Sequence, residues 1–175
     1  LDCGAQTVLV GGNENLAEVF YWGKLLPEAE NLKAIWDITR LDYSGGVLDG
    51  VPALSICPEV SKTFTGHPGM RLRGASGKRL YPSFKLTDVK FSDTSLLLEY
   101  QDRELGLTYK ANFLAHKETS VLELSASLAA DTDIFVDWFA APVLPATQAA
   151  KKMIDFSGHW CREFQKQETD WSIGA

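Results

Sequence analysis

His67, Arg71 and Arg73 fall close together in TFTGHPGMRLRG (63–74), beside three glycines and a proline. Glycines next to basic residues could cradle a phosphate, and a histidine could do acid–base work. The phosphate reading fails on spacing. Such a loop needs GxxxxGK[ST] running into a helix, whereas GHPG here leads into MRLRG, whose alternation suits a short strand. Pro68 also has no N–H to offer an anion. The residue types support a tight turn built on Gly66, Pro68 and Gly69, with one glycine at positive φ. That turn would present His67, Arg71 and Arg73 either to solvent or to a partner domain or ligand.

A second candidate is Asp37 in IWDITR (35–40). Paired-carboxyl chemistry needs a second carboxyl about 5–5.5 Å away, and the sequence names none. Asp37 is therefore read as the solvated side of a short amphipathic helix whose buried face carries Trp36. His67, His116 and His159 never stand four residues apart, so no helical metal pair forms. His116 lies in a polar turn, and His159 beside Trp160 suits a structural or rim position. Cys3, Cys57 and Cys161 are odd in number and widely spaced, with no CxxC, which reads as free thiols in a reducing, cytoplasmic compartment. Cys161 stands near His159, but neighbours along a strand point apart. No GxSxG elbow occurs. No catalytic residue, metal site or cofactor is assigned.

These residues need a scaffold, and the chain reads mostly as strands. Residues 121–129 alternate, with Leu122, Leu124, Ala126 and Leu128 on one face. Leu107, Tyr109, Ala111, Phe113 and Ala115 share a face of 107–115, and Ile134, Val136 and Trp138 share one of 134–140. Further strands are expected at 6–11, 16–23, 53–56, 84–91, 94–102 and 153–157. Turn-like connections fall at 11–15, 92–95, 102–105, 116–120 and 129–133. Many short antiparallel strands indicate a sandwich or a barrel. One helix is expected between Pro27 and the SGG at 44–46, and a second could cover 147–152.

The net charge of −6 leaves no basic face for nucleic acid or anionic membrane. No apolar run approaches the roughly 20 residues that span a bilayer. The length fits one domain, 1–175. The chain begins with Leu1 and stops at DWSIGA after an aromatic-rich stretch, which reads as a piece of something longer.

Several segments, in order, resemble the amino-terminal domain of glycoside hydrolase family 36 α-galactosidases. FYWGKLLP (20–27) looks like the family's early strand, and VPALSICPE followed by FTGHPGMRLRG resembles its Pro-Glu segment and Gly-Pro-Gly loop. DFSGHWCREFQ (155–165) is similar to the signature that closes the domain. The resemblance implies a large two-layer antiparallel β-sandwich, a supersandwich, with one or two short helices, preceding a catalytic (β/α)8 barrel. It implies that both catalytic aspartates belong to the barrel, so Asp37 is not a nucleophile. It also implies docking on the barrel of the same chain, a homo-oligomer, and a loop near an α-galactoside. Many members carry Gly-Arg-Gly-Asp-x-Arg at the loop, where this chain has GHPGMR. Arg71 is the residue carried across, and the family's Asp is replaced by Gly69, which has no carboxylate to offer a sugar. Trp160, Phe164 and Trp171 are the expected barrel-facing aromatics.

Overall fold

The structure, a computed structural model, describes residues 1–12, 14–39, 55–62, 64, 66–146 and 150–171. Its strands and helices, in chain order, are β1 (Asp2–Cys3), β2 (Gln6–Gly11), β3 (Glu18–Lys24), α1 (Leu32–Thr39), a 3₁₀ turn at Val60–Lys62, and β4 (Met70–Gly74). Then follow β5 (Arg79–Leu80), β6 (Lys85–Phe91), β7 (Ser95–Asp102), β8 (Leu107–His116), β9 (Val121–Ala130), β10 (Ile134–Phe139), β11 (Lys152–His159) and β12 (Arg162–Asp170). The fold is mostly β, and every strand pairing among the described residues is antiparallel. Two compact units divide it, Leu1–Leu144 and Pro145–Ala175.

The first unit is organised around the meander β6-β7-β8-β9. Period-2 alternation makes this sheet two-faced. On one face Leu96, Leu98 and Tyr100 of β7 lie beside Leu107, Tyr109, Ala111, Phe113 and Ala115 of β8, all buried. Leu122, Leu124, Ala126 and Leu128 of β9 pair with β8 on that same face and are half-buried, because β9 is the sheet's edge. The opposite face is polar and carries the Lys110–Glu99 ion pair. Against the apolar face lie Met70 and Leu72 of β4, Phe84, Ile56 and Cys57. Tyr109 is the hinge of the core, with Phe84 at 5.6 Å and Phe139 of β10 at 6.1 Å between ring centroids. A second sheet, β10-β4-β5, and a third, β1-β2-β3, complete the unit. In the second unit β11 and β12 form a hairpin.

Several expectations need correction. Helix α1 starts at Leu32, not near Pro27, because residues 27–30 close a turn (Glu30 N–H to the Pro27 carbonyl, 3.0 Å). Asn31 is the true N-cap, its side-chain oxygen accepting from the Ala34 N–H at 3.1 Å. Of the helix expected at 147–152, residues 147–149 lie outside the described residues and Lys152 opens β11. Of the strand expected at 53–56, residues 53–54 lie outside, and Ser55 makes only an isolated bridge to Glu18. The SGG at 44–46 lies outside as well. His116 ends β8 and pairs with Glu123 at 3.0 Å, so it is a strand end and not a free turn residue. Trp160 and Cys161 form the turn of the β11–β12 hairpin, with Cys161 at φ 67°, so the strand argument about Cys161 does not apply. Strand β12 was not foreseen, since REFQKQETD has too few apolar residues to reveal a buried face.

Candidate functional site

Strand β4 sorts the basic loop residues by face. Met70 and Leu72 enter the core, so Arg71 and Arg73 point the other way. The partner strand β10 carries IFVDWF, and its register slips between Val136 and Trp138. This bulge changes the expected faces. Trp138 does not stay with Ile134 and Val136. It pairs with Arg71 on the outer face, and Phe139 takes the core position opposite Met70. Phe135 pairs with Arg73, whose guanidinium lies 5.3 Å from the Phe135 ring centroid. Asp137, the residue at the slip, accepts two hydrogen bonds from Arg73, Nε to Oδ2 and Nη2 to Oδ1, each 2.7 Å. The bond from Arg73 holds the Asp137 carboxyl below the usual carboxylate range, and the same pairing raises the guanidinium. The rings of His67 and Trp138 meet in a T-shaped contact, with centroids 4.8 Å apart.

The loop that delivers His67 is fixed by contact and not by left-handed backbone. Neither Gly66 nor Gly69 has a positive φ. Gly69 is instead wedged against Cys57, where an added Cβ would lie 2.6 Å from Sγ and 2.9 Å from Cα. Its N–H donates to the Pro58 carbonyl at 3.0 Å, and its carbonyl accepts from Ala140 at 2.9 Å.

Beside this face opens a cleft of about 430 Å³, with Glu59, Phe64, Arg71, Arg79, Tyr81 and Asp137 among its lining residues. It exists because β5 is only two residues long. The register Leu72↔Leu80 would set Pro82 opposite Met70, and proline has no N–H to continue a ladder. Arg79 adds to the field that keeps Asp137 acidic. Glu59 is nearly buried and accepts a hydrogen bond from the Phe84 N–H at 3.0 Å. Burial raises its carboxyl above the ordinary value. Below it, burial pushes the Cys57 thiol up to about 12, with the Glu59 charge adding to the effect. The arrangement can bind through guanidinium and carboxylate hydrogen bonds and an exposed aromatic face. The ring nitrogen of His67 lies 3.1 Å from the Pro68 carbonyl and meets no nucleophile. No group of three or more His, Cys, Asp or Glu able to hold a metal ion occurs among the described residues.

The family model of the glycosyl hydrolase family 36 N-terminal domain matches residues 15–175. The chain belongs to this family. Its fold is similar to that of α-galactosidase from Lactobacillus brevis, with TM-score 0.75 and 15% identity over 99% of this chain and 27% of that one. It is similar to α-galactosidase AgaA of Geobacillus stearothermophilus, with TM-score 0.78 and 15% identity over 99% and 28%. A variant of AgaA in complex with raffinose gives TM-score 0.77 and 16% identity over 99% and 28%. The chain thus spans just over a quarter of the length of these structures. Comparison with curated proteins finds no match.

In this family 36 N-terminal domain the matched region contains the whole Arg71–Trp138 face and its cleft. Asp37 belongs to α1, exposed and ion-paired with Lys33 of the preceding turn. Trp160 (88% exposed), Phe164 (83%) and Trp171 lie in the second unit, all exposed. Sequence reasoning missed Asp137, Phe135, Arg79 and Tyr81, and put Trp138 on the wrong face. One signal was present: an aspartate interrupting the apolar run IFVDWF marks a place where regular alternation is costly.

Proposed function

We propose that this chain, residues 1–175 taken as one domain, is the non-catalytic N-terminal part of an enzyme that removes terminal α-linked galactose. A (β/α)8 barrel later in the same parent chain would supply both catalytic carboxylates. The observation that carries this reading is the near-complete coverage of the chain by α-galactosidase structures, of which it makes up only 27–28%. Trp160, Phe164 and Trp171 would dock on the barrel, since exposed apolar patches mark interfaces. Homo-oligomerisation and a cytoplasmic location belong to the same proposal, and three free thiols are compatible with the latter. Arg71, with His67 and Arg73 beside it, would stand near the sugar. In the test, the full-length protein and this chain are assayed on an aryl α-galactoside. Turnover by the full-length protein alone is expected. Turnover by this chain that disappears in Asp37→Asn would overturn the assignment.

A second reading, an independent carbohydrate-binding module, is favoured by Trp138, 46% exposed beside Arg71 and Asp137. Titration with galactose and raffinose decides it. Binding lost in Trp138→Ala supports the module, and silence supports the scaffold.

A further inference from the structure

The β4–β5 register sets Arg73 directly opposite Arg79. Cross-strand partners share a face, and like charges so placed repel. Arg71 lies two residues along β4 from Arg73, on that same face. Three guanidiniums therefore project from one side of a three-stranded sheet in a chain of net charge −6. Among the described residues one carboxylate pairs with them. Asp137 gives both oxygens to Arg73 and lies near Arg79. The side chains of Arg71 and Arg79 make no hydrogen bond and no ion pair among the described residues. Glu59 also lines the cleft, but it is largely buried, accepts from the Phe84 N–H and has Lys62 and Lys85 as its own cationic neighbours.

Both unpaired arginines line the 430 Å³ cleft, which falls in the usual range of small-ligand sites, about 300–1,000 Å³. Tyr81 and Phe64 give it flat apolar walls. A guanidinium presents parallel N–H donors that match the two oxygens of a carboxylate or the edge of a phosphate. The Arg73–Asp137 pair realises that geometry a few ångströms along the sheet. We propose that this cleft binds the oxyanion, carboxylate or phosphate, of a small organic ligand, with Arg71 and Arg79 as the anion clamp and Tyr81 and Phe64 against its body. The site deepens the sugar-facing reading of Arg71 but does not depend on it, because the charge excess exists whatever the barrel does.

The test titrates the full-length protein by calorimetry with galacturonate, galactose 6-phosphate and galactose. Millimolar binding of at least one acidic sugar is expected, at least tenfold tighter than galactose and weakened by added salt. Binding of only one acid identifies the oxyanion and supports the inference. In the Arg71→Gln/Arg79→Gln double variant the acid affinity should fall at least tenfold, with the urea midpoint not lowered because both side chains are exposed. Restoring lysine at both positions should recover part of it. Equal affinity for galactose, indifference to the double variant, or no binding by either acid would overturn the proposal. A full-length protein that binds these acids but is inactive on α-galactosides would overturn the proposed function and leave this site standing.

Discussion

A Cβ on Gly69 would press on the Cys57 backbone as well as its sulfur, so no rotamer change relieves the clash. Gly69→Ala is expected to destabilise the chain by roughly 1–3 kcal/mol, the usual cost of overpacking, read as a lower urea midpoint at unchanged slope. The same contact explains why a side chain such as aspartate has no room at this position. The thiols give a second residue-scale outcome. Cys57 is buried and its thiol is pushed up to about 12, so almost no thiolate exists at neutral pH. Cys3 is buried too and donates to the Val121 carbonyl. Cys161 is exposed. Iodoacetamide should label Cys161 rapidly in the folded chain and reach the other two only in denaturant. Rapid labelling of Cys57 under native conditions would contradict the burial described. The free cysteines were legible from spacing alone, whereas the ranking of their reactivity was not, because it depends on which strands cover each sulfur.

At the scale of elements, α1 is a short helix with no buried residue and no acidic side chain in its first turn. It leans on β3 through the edge-on contact of Trp36 and Phe20, 5.0 Å between centroids. Helices this short are marginal without a cap and tertiary contact. Asn31→Ala should therefore weaken α1 by about 1 kcal/mol, seen as faster amide exchange in residues 32–39 while the meander keeps its protection. An equal loss of protection across β7 and β8 would show that the helix and the core unfold together instead. Strands β8 and β9 were legible in their facing because LTYKANFLAH and VLELSASLAA alternate, whereas SLLLEYQD carries three leucines in a row and its facing follows from pairing with β8. Strand β10 was legible as a strand but not in its facing. Its bulge follows from pairing with β4, and no local propensity says which residue the slip will pass over.

For the whole molecule, Glu59 links the stability of the core to pH. Burial raises its folded-state pKa above the ordinary carboxylate value. The folded chain then keeps this proton to higher pH than the unfolded chain, so its contribution to stability is full below the unfolded value and is lost as pH rises through the folded one. Glu59→Gln keeps an oxygen for the Phe84 N–H and removes the charge. Its urea midpoint should match the parent at low pH and exceed it at neutral pH, flattening that part of the profile. A variant less stable at every pH would mean that the carboxylate is needed as such. The sequence by itself determined the β class, the inward faces of β8 and β9, the free thiols, and, through motifs in order, the family. Alternation and motif order are properties of neighbouring residues, and neighbours are what a sequence states. Only the tertiary structure decided the site: Trp138 turned to the side of Arg71, Gly69 pressed on Cys57, and Arg79 opposite Arg73. The first depends on a register between segments far apart in the chain, the second on a loop contact and the third on the register of a short hairpin; a slip of one residue in either register would have sent those side chains to the other face.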